Sequence, residues 1–319
     1  MKVSVLGCGR WGSFLAWYMN RLNHDVISFG PDDAIYRALA QTRKNEYITL
    51  PEQIQLTNNL QHAVTASEII IISISSQALR GFLKEVTRFN LTDKKIVLCM
   101  KGIEEGSGKR LSEVAIESGI DKQQIAVWVG PGHIQDFVHN IPNCMVIDAY
   151  NPALTRTLAE SFRSDIIRFY FGSDIIGTEI GAAAKNIFGI IAGVLDGMGY
   201  ASLKGPLMAR GAWEVARLIK ALGGNELSAY GLCHLGDYET TLFSPHSHNR
   251  MFGEMLAKGK RFEKLAEGVS TARAVSGLAQ RLGVNMPITE TVNTSVCGTM
   301  DFQCVLKLLF GRDMREEFT

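Results

Sequence analysis

The chain of 319 residues is short of several features that would narrow its role. It has almost no net charge: 33 Lys and Arg against 32 Asp and Glu leave +1. A nucleic-acid or anionic-membrane partner calls for a basic surplus, so neither is expected. Its cysteines, Cys8, Cys99, Cys144, Cys233, Cys297 and Cys304, show no C-x-x-C spacing and stand in apolar or glycine-rich surroundings. They read as reduced thiols of a cytoplasmic protein. No cluster of His, Cys and carboxylates has metal-ligand spacing, and the histidines are dispersed apart from His246 and His248. No metal is therefore expected. No uninterrupted apolar run approaches the ~20 residues of a membrane span, so stable membrane insertion is not expected. A first strand beginning at residue 2 predicts that no signal peptide precedes it. Internal repeats and low-complexity tracts are absent. What the chain does have is core: 46% of its residues are hydrophobic and 20% charged, the balance of a folded two-domain protein.

The most informative segment lies at the start. Gly7-Cys8-Gly9-Arg10-Trp11-Gly12 reads G-x-G-x-x-G directly after the apolar run Val3–Leu6 and directly before a helical stretch, Ser13–Leu22. The first glycine allows a tight turn, the second lets backbone approach a pyrophosphate, and the third lets helix and strand pack closely. The helix N-terminus adds free N–H groups and partial positive charge. The fingerprint predicts a dinucleotide site at Gly7, Gly9 and Gly12, with Arg10 along the phosphates and Trp11 packed on the cofactor. The alternative is a glycine-rich turn that binds no nucleotide. An acidic residue about 20 positions on often binds the ribose 2′-hydroxyl of NAD. Asp32 stands at that distance, past the end of the second strand, Asp25–Phe29. It favours NAD(H) over NADP(H), unless Asp32 or Asp33 merely caps the next helix.

Apolar, β-rich runs recur at Glu68–Ile74, Lys95–Met100, Ile125–Val129, Asn143–Ile147 and Ile166–Phe171, with helical patterns between them, including Gln77–Thr87 and Lys109–Glu117. The continuous run Ile69–Ile72 suits a sheet covered on both faces. From Asp174 the β signal stops, and helical patterns follow at Asp174–Leu195, Pro206–Leu222, Arg250–Lys258 and Ser270–Leu282, with a last helix from about Pro287. The expected fold is α/β: a Rossmann-type doubly wound domain over residues 1–172, then an all-α substrate and dimerisation domain over 173–319. The active site is expected in the cleft between them.

Motifs along the whole length resemble the NAD(P)-dependent sn-glycerol-3-phosphate dehydrogenases. In family order these are Gly7–Gly12, Lys101-Gly102, Gly130-Pro131, Glu179-Ile180-Gly181-Ala182-Ala183-Ala184-Lys185-Asn186, Leu235-Gly236-Asp237, Ser247–Gly253, Ala266-Glu267-Gly268 and Met286–Glu290. The resemblance implies reversible, NAD(P)H-dependent reduction of dihydroxyacetone phosphate to sn-glycerol 3-phosphate, which supplies glycerophospholipid synthesis. It implies NAD(H) or NADP(H) as cofactor, a small phosphorylated substrate and a cytoplasmic homodimer. Lys185 falls on the family's catalytic lysine. Gly181, Ala182 and Gly189, at i−4, i−3 and i+4, clear space around its ammonium for a substrate or for a neighbouring helix. An ammonium beside a carbonyl offers both a proton and charge stabilisation, and a second cation nearby, which could be Lys101, would lower its pKa. Lys101 follows a strand at the sheet edge where ligands bind. By resemblance it touches substrate and cofactor; otherwise it is a solvated loop lysine. Asp237 either holds Lys185 as an ion pair or serves only as a turn residue. Asn186 and Thr241 are candidate substrate contacts, as are Gly130 and Gly132. Ile134 and Glu267 are expected at the cofactor, with a helix-capping turn as the alternative for Glu267-Gly268.

Two departures bear on the substrate. The family continues Gly-Pro with a hydroxyl residue and then Phe-Ala, whereas this chain has Gly132-His133-Ile134. The family's Ser/Gly-Arg-Asn, whose Arg binds substrate phosphate and cofactor, is here Ser247-His248-Asn249. Arg250 can reach the phosphate instead, with Lys204 adding affinity. Alternatively His248 binds it as imidazolium, with affinity falling as pH rises. Or the substrate is a different small hydroxy compound. A sensor that binds nucleotide without turnover is the remaining reading, and Lys101, Lys185, Asn186 and Asp237 argue against it.

Overall fold

The computed structural model describes residues 1–298 and, beyond them, residues 304, 306, 307, 311, 314, 316 and 317. The chain forms two compact units: Met1–Met100 with Leu111–Ile175, and Lys101–Arg110 with Ile176–Thr319. A single cut at residue 172 would put the segment Lys101–Arg110 in the first unit. It belongs to the second because Ile103 is buried in the helical core and Arg110 pairs with Glu179.

In the first unit, strands and helices alternate: β1 (Lys2–Leu6), α1 (Arg10–Arg21), β2 (Asp25–Phe29), α2 (Ala34–Thr42), β3 (Gln55–Thr57), α3 (Leu60–Ala66), β4 (Ile69–Ile72), α4 (Leu79–Val86), β5 (Lys95–Leu98), α5 (Leu111–Glu117), β6 (Ile125–Val129), α6 (Ile134–Val138), β7 (Asn143–Ala149), α7 (Pro152–Phe162) and β8 (Ile167–Phe171). All eight strands join one sheet in the order β3-β2-β1-β4-β5-β6-β7-β8. Every pairing is parallel except β6 with β7. Both faces of β4 are covered, as its unbroken isoleucines require: Ile69 and Ile71 face one core, Ile70 and Ile72 the other. The sheet grows one way from β1 to β3 and the other way from β4 to β8. The reversal, where such folds bind nucleotides, therefore lies between β1 and β4. Strand β3 escapes the sequence pattern: three residues, Gln-Leu-Thr, carry no alternation to read.

The second unit is helical: α8 (Ile175–Gly197), α9 (Lys204–Ala221), α10 (His248–Ala257), α11 (Glu267–Leu282) and α12 (Pro287–Val296). Pro206 is tolerated in the first turn of α9, where its missing N–H would have no helical partner. Helix α11 starts at Glu267, earlier than the expected Ser270, because the Gly268 amide finds Asn249 Oδ1 at 2.9 Å. Helix α8 has 23 residues and is apolar enough to cross a membrane by length and composition, but 94% of its apolar window is buried within the protein. It is the central core helix, which explains why it is hydrophobic nearly all round. Between α9 and α10 the chain makes tight turns, Leu235–Asp237 and then a π-helical turn at Glu239–Phe243.

Candidate active site

In the first unit the glycine turn leaves the end of β1 at the sheet reversal. Gly7 has φ of +118°, and a Cβ there would lie 2.1 Å from the Ser73 carbonyl oxygen after β4. A Cβ on Gly12 would lie 1.8 Å from the Gly7 carbonyl oxygen, so strand and helix touch through their backbones. At Gly9 a Cβ would meet nothing within 4 Å. That is open space beside backbone, which a ligand can enter. Gly9 is also the N-cap of α1, with no side chain capping the helix and no acidic residue in its first turn. These residues fit a dinucleotide pyrophosphate: the anion-binding N–H groups are uncapped and the approach to them is clear. Arg10 lies over the Tyr47 ring at 4.7 Å and donates to Gln135 at 3.4 Å. Trp11 packs on Phe14 at 4.8 Å and near Phe137 at 6.5 Å. Asp33, not Asp32, caps α2, accepting the Tyr36 amide at 2.8 Å. Asp32 is exposed and accepts from Arg37 Nε at 2.7 Å, a bond that holds its carboxyl below the usual carboxylate range.

In the second unit Lys101, Lys185 and Asp237 meet. The Asp237 side chain is 1% exposed, and its Oδ2 lies 2.8 Å from both Lys101 Nζ and Lys185 Nζ. Thr240 donates its hydroxyl to Oδ1 of the same carboxylate, and Lys185 donates to Thr241 Oγ1 at 2.7 Å. Burial pushes the Lys185 ammonium down, Asp237 opposes the fall and Lys101 adds to it, leaving a value of about 8. Burial would raise the Asp237 carboxyl, but the two ammonium groups hold it below its ordinary value. An ammonium poised near neutrality can give and take a proton at physiological pH.

The small residues beside Lys185 are filled by protein. A Cβ on Gly181 would press on His234 and Cys233, and one on Gly189 would press on Thr241 and Asn249. They let the Asp237 turn and α10 approach α8, which brings Thr241 to the lysine. A chain of carboxamide bonds runs alongside. Asn186 Nδ2 donates to the Lys101 carbonyl at 3.1 Å, Asn249 Nδ2 donates to Asn186 Oδ1 at 3.0 Å, and the Gly268 amide donates to Asn249 Oδ1. Asn186 and Asn249 thus fix the backbone of Lys101 and the start of α11. Arg110 and Glu179, paired at 2.8 Å and both buried, tie the same loop to α8.

Residues 2–155 match the N-terminal family of NAD-dependent glycerol-3-phosphate dehydrogenases, and residues 174–307 match the C-terminal family. The chain belongs to the NAD-dependent glycerol-3-phosphate dehydrogenase family. Similar relatives bear the name glycerol-3-phosphate dehydrogenase, NAD(P)+. That of Prosthecochloris aestuarii is 35% identical over 99% of this chain and 100% of its own, and that of Listeria monocytogenes is 34% identical over 99% and 98%. Among solved structures, glycerol-3-phosphate dehydrogenase from Coxiella burnetii superposes with a TM-score of 0.91 at 25% identity, covering 98% of this chain and 99% of that one. D-mandelate dehydrogenase with NADH shares the fold at a TM-score of 0.64 and 15% identity, over 93% and 98% of the two chains.

The departures from the glycerol-3-phosphate dehydrogenase pattern have structural reasons or consequences. Gly132 has φ of +149°, and a Cβ there would lie 2.4 Å from the Phe137 ring. The turn therefore excludes a hydroxyl side chain at this position. Gly130, at φ +135°, turns against Met145. Ile134 is buried in the core of the first unit, which leaves only its backbone for a cofactor. Arg250 is committed elsewhere: Nη1 lies 2.9 Å from both Asp196 and Glu254, and Nε donates to the Ser244 carbonyl. Lys204 reaches Asp196 at 2.7 Å and the Leu242 carbonyl at 2.9 Å. A phosphate would have to displace carboxylates from both cations, so the expectation of Arg250 and Lys204 as phosphate ligands gives way to a wall that braces the Thr241 turn. Ser247 caps α10, accepting the Arg250 amide. His248 begins that helix, half-buried, with Nδ1 3.3 Å from the Leu265 carbonyl and its ring near Phe262. Glu267 begins α11, its carbonyl accepting the hydroxyls of Ser270 and Thr271. The sequence reading missed Thr240, whose Asp-x-x-Thr spacing from Asp237 was the available signal.

Proposed function

We propose that the protein reduces dihydroxyacetone phosphate to sn-glycerol 3-phosphate, reversibly, with NAD(H) or NADP(H). The observation that carries this reading is the buried Lys185 ammonium, paired with Asp237 and flanked by Lys101. When bound, the reduced nicotinamide supplies the hydride. Lys185 supplies the proton: it stabilises charge building on the carbonyl oxygen and then protonates the alkoxide. In the reverse direction neutral Lys185 takes the hydroxyl proton. Asp237 remains ionised and orients Lys185 Nζ together with Thr241. Burial brings the Lys185 pKa down towards working pH, and the positive charge of Lys101 lowers it further. Gly7, Gly9, Gly12 and the start of α1 hold the pyrophosphate. Asp32 offers an acceptor to a ribose 2′-hydroxyl and Arg37 a donor to a 2′-phosphate, which suits use of either cofactor.

His248 at the start of α10, with the helix N-terminus behind it, takes the phosphate end of the substrate. His248 also favours a second reading: a dehydrogenase of the same fold for another small hydroxy compound. A guanidinium fork suits phosphate better than one imidazole N–H. The deciding experiment is oxidation of NADH and of NADPH with dihydroxyacetone phosphate and with dihydroxyacetone, across pH 6 to 8.5. Turnover of the phosphate alone is the expected result. Cofactor binding without turnover at millimolar phosphate substrate would sink the reading. A cytoplasmic homodimer feeding glycerophospholipid synthesis completes the proposal.

A further inference from the structure

We infer that His234 and Tyr238 are positioning residues for Lys185 and Asp237, forming a buried strut between the turn that carries the carboxylate and the helix that carries the ammonium. The inference rests on the reading of Lys185 and Asp237 as catalytic residues. Both strut residues are fully buried. His234 Nδ1 lies 3.0 Å from the Gly181 carbonyl, and Tyr238 Oη lies 2.8 Å from His234 Nε2. A carbonyl only accepts, so Nδ1 carries the proton. Burial pushes the imidazole down to about 4, against the Gly181 bond and Asp237, while Lys185 lowers it further. The ring is therefore neutral, Nε2 is an acceptor, and the Tyr238 hydroxyl donates to it. Burial, and then the Glu214 carboxylate, raise that hydroxyl well above its ordinary value, so it stays a donor.

The strut flanks the reacting pair on both sides. Gly181 lies one helical turn before Lys185, and its carbonyl accepts the Lys185 amide in the α-helical pattern. Asp237 sits between the two strut residues in sequence, and its amide donates to the His234 carbonyl at 3.0 Å. The fit is tight around both rings. Phe188 of α8 lies edge-on to His234 at 5.6 Å. A Cβ on Gly211 of α9 would come within 3.0 Å of the Tyr238 hydroxyl oxygen. Polar groups buried this deeply are costly unless each is satisfied, and here each finds its partner. Asp237 must keep one oxygen 2.8 Å from two ammonium groups at once, so small displacements of its turn matter. A misplacement of about 1 Å can cost roughly 10²-fold in rate.

The test compares Tyr238→Phe, His234→Leu, His234→Asn and Lys185→Ala. Readouts are kcat against pH, KM for dihydroxyacetone phosphate, NADH affinity by fluorescence and a urea midpoint. Tyr238→Phe removes one oxygen and keeps the ring; it is expected to lower kcat about tenfold with KM and NADH affinity near wild type. Asp237, less firmly held, protects the Lys185 proton less, so the pH limb of ketone reduction moves to lower pH. The groups setting that limb are Asp237, Lys101 and the Lys185 burial itself. His234→Leu loses more, and His234→Asn, whose amide can still reach the Gly181 carbonyl, recovers part of the loss. In an Asp237→Asn background Tyr238→Phe is expected to have no further effect. Wild-type kcat and limb in Tyr238→Phe and His234→Leu would overturn the inference. So would losses that add to Asp237→Asn or that follow only the unfolded fraction. Wild-type turnover by Lys185→Ala would overturn the catalytic reading itself, and the inference with it.

Discussion

In the first unit, the positions proposed to hold the cofactor's pyrophosphate lie within residues 7–12 and owe their geometry to side chains that are missing. Gly7 and Gly12 let backbones touch, and Gly9 leaves room for a ligand. In the second unit, the reacting groups come from distant segments and owe their geometry to side chains that are paired. Lys101 and Asp237 are 136 residues apart, and Lys185 and Thr241 are 56 apart. A backbone cradle tolerates variation in everything except its glycines. A cluster of buried charges depends on every partner, because an unpaired charge in such surroundings is costly. The two regions should therefore fail differently when damaged.

The largest expected effect is on chemistry alone. Lys185→Ala lowers kcat about 10²–10⁴-fold while NADH affinity stays near wild type; steady-state kinetics with a fluorescence titration checks both. Loss of NADH binding in this variant would break the separation of the two regions. In the cradle, Gly12→Ala drives a Cβ to 1.8 Å from the Gly7 carbonyl oxygen. It should cost about 3 kcal/mol of stability and weaken NADH together with it. Gly9→Ala meets nothing within 4 Å, so it should weaken NADH with the melting temperature unchanged. Equal NADH affinity in Gly9→Ala would show that no ligand uses that approach.

Cations that only brace the fold should behave differently again. Asp196 is shared by Lys204 and Arg250. Asp196→Asn should cost about 3 kcal/mol in a urea titration and leave the KM of the folded fraction unchanged. A selective rise in KM would return Arg250 or Lys204 to the substrate phosphate. The smallest effect is a change of slope. Glu214 of α9 accepts the amides of Ile288 and Thr289 at the start of α12. Burial raises its carboxyl to about 7, against those bonds and Arg217. Its folded pKa lies above its unfolded value, so folding favours the protonated form. That stabilisation is full below the ordinary value of 4.5 and is lost as pH rises through about 7. Glu214→Gln should flatten the fall in stability between pH 5 and 8, and an unchanged slope would remove Glu214 as its source.

The same contrast explains what the sequence made legible. The apolar runs at Val3–Leu6 and Ile69–Ile72 lie in β1 and β4 because a covered parallel strand needs unbroken hydrophobics. Three-residue β3 carries no such pattern. The glycine turn is contiguous, and each of its glycines has a local steric cause. The second unit was harder. The small residues beside Lys185 signalled close approach, but not that His234, Thr241 and Asn249 would fill the space. Arg250 looked available to a phosphate because nothing in its neighbourhood announced Asp196, which arrives from the far end of α8. Asp33 took the capping role that left Asp32 to Arg37, a choice settled by φ and ψ at the start of α2. Pairings between distant segments depend on packing, which residue spacing does not encode.

The central claim is that one buried ammonium, Lys185, carries the proton in both directions. The most direct measurement is kcat of the wild-type protein against pH, for dihydroxyacetone phosphate reduction and for sn-glycerol 3-phosphate oxidation. Reduction needs Lys185 protonated and oxidation needs it neutral. The account predicts two limbs of opposite sign, reduction falling and oxidation rising, with inflections together near the value of about 8. Limbs of the same sign, or flat profiles through that range in both directions, would contradict it.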